Sequence, residues 1–450
     1  MKHFIQNLIL IILLTLLILF SYAFVQNKID SFSVKEFYDF LTKDFSKVQK
    51  DGQKNGDSGK EQSYKGVWLS YLEFNCYRKS VKKNDEAAFR NFFERVLNQS
   101  KKCGFNRIIV HVRPFGDALY QSDYYPWAAC ISGKQGKDPG YDPLKIMTEM
   151  VHEKGMYIEA WINPYRISSG TKISDLSVNN PARKWAEDSG AKRNILSYED
   201  ALYYNPASEE VRQLICNGVK EIVENYDVDG IHMDDYFYPV FTEKNVESAF
   251  DAPEYKEEIK NGGEASQLSI AEWRRNNVSR LVSDIYKTIK TADQRVSFGI
   301  SPAGNLSNLR SDLEYYADVD TWAKEEGYVD YLMPQIYWGF TNDQAPFKDV
   351  MNQWIQLTEN TDTKLYLGLQ LYRMGTDDKS QSDYRELQSA SLITKELKQI
   401  KKESQIEGYC FFSYQYLDVD NKTYQFDSNE FAEQRKKVLK KIKKALIKLT

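Results

Sequence analysis

From Gly66 onward the hydrophobic period of the chain switches repeatedly between two and 3.6, so short β-rich runs are each followed by a helical pattern. The runs fall at 66–72, 107–114, 157–164, 230–237, 295–302, 328–338, 364–372 and 408–417. Helical stretches separate them, clearest at 84–103, where Phe89, Phe92, Phe93, Val96 and Leu97 form one apolar stripe before Gly104. The fifth unit is the weakest, with only a short helix at 307–318, and a last basic helix at 429–446 follows the eighth run. Eight such units joined by right-handed crossovers close most simply as an α/β fold of the (β/α)8 TIM-barrel type. A doubly wound open sheet is the alternative, but the first run lacks the Gly-rich turn that would place a dinucleotide.

Ahead of the barrel, Lys2 and His3 precede an apolar run over 4–20, and Ser21-Tyr22-Ala23 resembles a small-x-small cleavage site. Residues 1–25 are therefore expected to be a signal peptide or a retained N-terminal membrane anchor, which puts the protein outside the cytoplasm, anchored or secreted. Residues 26–63 read as a tether, since 51–63 is polar and Gly-bearing and lacks large apolar side chains. The barrel then takes 64–450. Sixty basic against sixty-four acidic residues leave a charge of −4, so nothing in the global field favours nucleic acid. Five cysteines stand far apart with no C-x-x-C pair, which disfavours a zinc ribbon or a redox motif. No cofactor is expected.

Alternation along each run separates two faces, and the consistently aliphatic one should pack on helices. His111 and Arg113 are then expected to point inward on the second strand, and Glu159, Trp161 and Asn163 on the third. The fourth sends in His232, Asp234 and Tyr236, the sixth Met333, Gln335 and Tyr337, and the seventh Tyr366, Gly368, Gln370 and Tyr372. Arg113, Asn163, Asp234 and Gln335 thus gather near the carboxyl ends of their strands, where barrel active sites are built. Glu159, His111 and His232, one layer deeper, read as orienting groups. Only four histidines occur and no G-x-S-x-G elbow, so acid/base or nucleophilic work falls to Asp and Glu, the pattern of glycoside hydrolysis. Asp234 is the expected nucleophile or base. The acid partner is sought in Asp117, then Asp235, then Glu325 or Glu326. Tyr-rich loops fit a carbohydrate ligand, with Tyr165, Tyr337 and Trp338 shaping subsites. Arg113, Asn163, Arg166, His232, Tyr236 and Gln335 complete the expected contacts. Adjacent acids could also hold a metal, but the second strand reads His111-Val-Arg113, not His-x-His, so no metal is assigned.

Several blocks in order, Gly66-Val-Trp-Leu, Val112-Arg-Pro-Phe-Gly-Asp-Ala-Leu-Tyr120, Pro139-Gly-Tyr-Asp-Pro143, Ala160-Trp-Ile-Asn-Pro-Tyr-Arg166, Asp229-Gly-Ile-His-Met-Asp-Asp-Tyr-Phe-Tyr-Pro239 and Asp330-Tyr-Leu-Met-Pro-Gln-Ile-Tyr-Trp338, resemble the bacterial glycosyl-hydrolase-like family 10. The resemblance implies an exported barrel glycoside hydrolase acting on polysaccharide, plausibly cell-wall glycan. The strand-four block is also similar to that of α-amylase-type hydrolases, whose nucleophile would fall on Asp234. Their acid, a Glu ending strand five, has no counterpart in Gly299-Ile-Ser-Pro-Ala-Gly-Asn305. Glu159 stands where the resemblance leads one to expect histidine, and a local rewiring with His111 or His232 would explain it. Two rival readings follow: a surface glycan-binding barrel without catalysis, and a metal-dependent polysaccharide deacetylase or hydrolase.

Overall fold

The computed structural model describes residues 63–424 and 432–449. The expected signal or anchor at 1–25, and the tether apart from Ser63, lie outside the described residues. Among the described residues no helix is long and apolar enough to cross a membrane.

The described residues open with β1 (Tyr64–Leu69), β2 (Arg107–Arg113) and β3 (Tyr157–Ile162). A small antiparallel sheet of β4 (Arg166–Ser168), β5 (Ile195–Tyr198) and β6 (Ala201–Tyr204) intervenes, which the periodicity did not anticipate. The large sheet resumes with β7 (Gly230–Met233), β8 (Ser297–Ile300), β9 (Tyr331–Leu332), β10 (Gln335–Ile336), β11 (Lys364–Gln370) and β12 (Ile406–Phe412). All its pairings are parallel, and β12 returns to β1 while β9 pairs with β11, so the sheet closes. Segments β9 and β10 are one barrel strand split at Pro334, which has no N–H to give; its carbonyl instead accepts the Gly368 N–H at 2.9 Å. The result is an eight-stranded TIM barrel.

Helices cover the outside, among them Glu86–Lys102, Glu209–Asn225 and Ile270–Ala292, the last two packed on each other. The fifth unit carries only short pieces, Leu306–Leu309 and Val319–Lys324. Strand ends fall earlier than the sequence pattern suggests. The first stops at Leu69 because Ser70 and Glu73 make a reciprocal capping box that starts the helix Tyr71–Ser80.

Inside the ring a second apolar cluster, Tyr64, Trp68, Ile109, Trp161, Tyr331, Met333, Tyr366 and Cys410, fills the lumen separately from the helix-facing core. Glycines opposite the rings make the fit possible. A Cβ on Gly299 would lie 2.0 Å from Tyr331 Cζ, and one on Gly368 would lie 3.1 Å from Trp68 Cη2. Large rings facing glycines let a narrow lumen hold aromatic side chains without a void.

Candidate active site

At the carboxyl ends of the strands the lumen opens into a cleft of about 310 Å³. Trp68, Trp161, Tyr236, Tyr337, Tyr372 and Phe412 supply its apolar walls, and Asp234, Asp235, Ser301 and Gln335 its polar groups. A small number of convergent polar groups among rings is the composition of a small-molecule site. Asp234 and Asp235 follow directly on β7, so the end of one strand delivers both carboxyls.

Asp234 is 4% exposed and accepts the Tyr236 N–H at 3.1 Å. Burial pushes its pKa well above the usual carboxylate range, the Asp235 charge adds to this, and Arg166 opposes it. Burial likewise raises Asp235, to about 6, against a hydrogen bond from the Gln335 amide. Gln335 itself is held by its Nε2 donating to the Ser301 carbonyl at 2.9 Å. Burial and the charge of the neighbouring carboxyl both act against ionising the two groups together.

Arg166, on β4, lies at the rim with its guanidinium 5.0 Å from the centre of the Phe115 ring and 4.8 Å from that of Tyr236. Tyr236 is 52% exposed, because the strand has already ended and the residue belongs to the following loop. That loop is anchored by a fully buried ion pair: Arg274 Nε donates to Asp251 Oδ1 at 2.8 Å, and Tyr238 donates to Asp251 Oδ2 at 2.7 Å.

Beneath the floor, His232 is wholly buried and its pKa falls to about 3 through desolvation, so the ring is neutral. Trp68 Nε1–H donates to His232 Nε2 at 3.2 Å, and His232 Nδ1 lies 2.8 Å from the Tyr331 hydroxyl. Tyr331 in turn donates to Glu159, which pairs with Arg107 at 2.8 Å. Glu159 is therefore wired to His232 through Tyr331 and neutralised by Arg107. His111 takes another course, stacking on Trp161 with ring centres 3.5 Å apart.

Besides His232, buried beneath the floor, four expected contacts and one expected catalytic acid lie away from the cleft. Alternation points Arg113 inward, but the β2–β3 register slips between His111 and Arg113, so Arg113 pairs with the outward Ile162. The extra residue, Val112, is a β-bulge that re-aims Arg113 toward Tyr125, 4.8 Å from its ring centre. Asn163, 1% exposed, ties the ends of β2 and β3 by donating from Nδ2 to the Pro114 carbonyl at 3.3 Å. Tyr165 is a core residue at 1% exposure, and Trp338 packs over Gly304 against the helix-facing core. Asp117, the first choice as acid partner, is buried in the strand-two loop. It accepts the Ala129 N–H at 3.3 Å and Gln135 Nε2 at 3.0 Å, with burial lifting its pKa to about 6. Its surroundings organise the loop, and Asp235 is the carboxyl that shares the cleft with Asp234.

The sequence pattern assigns no site role to Trp68, Trp161, Ser301, Tyr372 and Phe412, all of which line the cleft. A signal for Trp68 and Phe412 exists in the alternation: Val67, Leu69 and Phe411 join the outer core, which turns their neighbours inward. The wall formed by Tyr372 is fixed from behind by Arg435 on the last helix (Ala432–Leu449), whose guanidinium donates to the Tyr372 and Met374 carbonyls. Among the described residues no group of three or more His, Cys, Asp and Glu side chains is placed to hold a metal ion.

A closed (β/α)8 ring with paired carboxyls in an aromatic cleft defines a barrel of the glycoside-hydrolase type. The chain belongs to the family Glycosyl hydrolase-like 10, whose family model matches residues 63–386. It is 34% identical over 357 residues to glycosyl hydrolase YngK of Bacillus subtilis (strain 168), covering 76% of this chain and 67% of that protein. It is also 34% identical over 346 residues to glycosyl hydrolase DigH of Escherichia coli (strain K12), covering 72% of this chain and 75% of that protein. Among solved structures, the glycoside hydrolase domain of PgaB (BpsB) from Bordetella bronchiseptica aligns with a TM-score of 0.50 at 10% identity. That alignment covers 84% of this chain and 99% of that domain, a likeness of fold alone.

Proposed function

We propose that the protein is an exported glycoside hydrolase that cleaves a polysaccharide, with cell-wall glycan as the substrate class. The observation that carries this reading is the pair Asp234 and Asp235, two burial-raised carboxyls side by side in an aromatic cleft. Glycosidic cleavage needs one carboxylic acid to protonate the leaving oxygen and one carboxylate to act as nucleophile or to activate water. A pair whose burial and mutual repulsion favour protonating one member is suited to supply both. The rings suit the apolar faces of sugars, and Gln335, Ser301 and rim Arg166 are polar groups for hydroxyls. The names of the two curated relatives support hydrolysis. Export is supported by the apolar run over 4–20.

The test is incubation of the full chain with purified cell-wall glycan and with α- and β-linked glucans, reading product masses. Release of shortened glycan with new reducing ends, lost in Asp234→Asn and in Asp235→Asn, is the expected result. Binding without any reducing-end release would replace catalysis by the glycan-binding reading.

A further inference from the structure

The lumen below the cleft holds an ordered set of polar groups that no chemical step uses, and the direction of each hydrogen bond in it can be worked out. Indole nitrogen only donates, so His232 Nε2, 3.2 Å from Trp68 Nε1, is the unprotonated ring nitrogen. The neutral ring then carries its proton on Nδ1 and donates it to the Tyr331 hydroxyl, 2.8 Å away. That hydroxyl, having accepted, donates to Glu159 Oε2, and Glu159 Oε1 accepts from Arg107 at 2.8 Å. The bonds run one way, from the floor of the cleft down to a carboxylate, and stop at a guanidinium. Trp68, His232, Tyr331 and Glu159 are each 2% exposed or less, so water does not compete for these partners.

We propose that Glu159, Tyr331 and His232 are positioning residues that lock the Trp68 indole in one orientation on the cleft floor. Trp68 is the member that faces the cleft, and its edge is tied downward by the only donor it owns. A ring tied in this way gives the cleft floor a fixed apolar lining with no rotamer to freeze on binding. Arg107 closes the far end of the column, donating to one Glu159 oxygen while Tyr331 donates to the other. Glu159 thus acts on the site at a distance, through two intermediates, by deciding which nitrogen of His232 is bare. The consequence for turnover rests on the glycoside-hydrolase reading; the locking of the ring does not.

The experiment uses the full chain labelled with 15N at the tryptophan indoles, with the Trp68 signal assigned by its loss in Trp68→Phe. In the unmodified protein that indole N–H should exchange slowly with solvent. Tyr331→Phe removes one hydroxyl while keeping the ring, and Glu159→Gln removes the charge while keeping the shape. Each should shift the Trp68 signal and speed its exchange about tenfold, the effect of losing one buried hydrogen bond. The indoles of Trp322 and Trp354, which donate to Ser279 and Gly304 elsewhere, should stay unmoved and so report intact folding. On a glycan that the unmodified enzyme cleaves, both variants should raise KM about fivefold and change kcat less than about twofold. An unmoved Trp68 signal in both variants would overturn the proposal, and so would a freed indole with unchanged KM. If no glycan is cleaved at all, the functional reading fails, while the indole signal still decides whether the column locks the ring.

Discussion

Glu159 and Asp234 are both shut away from solvent in the same lumen, and burial raises the carboxyl pKa of each. Their neighbours differ. Glu159 faces a guanidinium at 2.8 Å and a tyrosine hydroxyl, a set that satisfies its oxygens and leaves it a supporting part, not a chemical one. Asp234 faces a second carboxyl, and among the described residues neither it nor Asp235 has an ion-pair partner. Burial alone therefore does not mark a chemical group in a barrel. The sign of the nearest charge does: an opposite charge makes a strut, a like charge makes a store for one proton.

This contrast can be broken at the mouth first. Asp234→Asn and Asp235→Asn should each lower glycan turnover about a thousandfold, the range of a lost acid or base, with the far-UV spectrum unchanged. Loss in only one of them would mean that the pair does not act as a unit. In the lower layer the same kind of change should act on folding: Glu159→Ala strands Arg107 and should cost about 3 kcal/mol in urea unfolding. A cost near zero there would erase the distinction between the layers. Next in size, Trp161→Ala should weaken glycan binding about tenfold by removing a ring from the cleft wall, measured by titration calorimetry.

Smaller effects sharpen the comparison through pH. The turnover profile should be bell-shaped, its acid limb falling through the group at about 6, and Asp235→Asn should remove that limb. The stability effect has the opposite sign from that of a salt-bridged acid. Asp235 has a folded pKa of about 6 against an ordinary 3.8, so the native state holds its proton more tightly than the unfolded chain. Stability from this group is complete below the ordinary value and is lost as pH rises through about 6. Asp235→Asn should therefore melt about 2 °C higher than the unmodified protein at pH 8, and the two curves should meet near about pH 4. Carboxyls retained for chemistry destabilise the fold they occupy, and a melting series would read that directly.

Much of this arrangement is written in alternation. On β3, β7 and β10 the aliphatic face is unbroken, so Trp161, His232, Asp234 and Gln335 could be set on the inner face from the sequence, where they lie. The same rule fails one residue past His111, because a bulge at Val112 adds a residue without changing the pattern of side-chain types. Loops are harder still. Asp117 and Asp235 are equally acidic on paper, and only the fold of the strand-two loop, with Gln135 and the Ala129 N–H turned onto Asp117, separates them. Strands β4 to β6, at three or four residues each, are too short for any period to emerge. The rewiring around Glu159 needed a partner 172 residues away in Tyr331, which no local pattern contains.

The hold of Arg435 on the back of Tyr372 bears on where this protein can be cut. The family model matches as far as residue 386, yet the ring is completed by β12, which lies beyond that point and brings Phe412 to the cleft. A shortened version ending there would expose the hydrogen-bonding edges of β1 and β11 to solvent and to other chains. One ending after β12 would keep the ring but lose the brace behind Tyr372. The smallest piece worth expressing therefore runs to the final turns of the last helix, past the end of the family model's match.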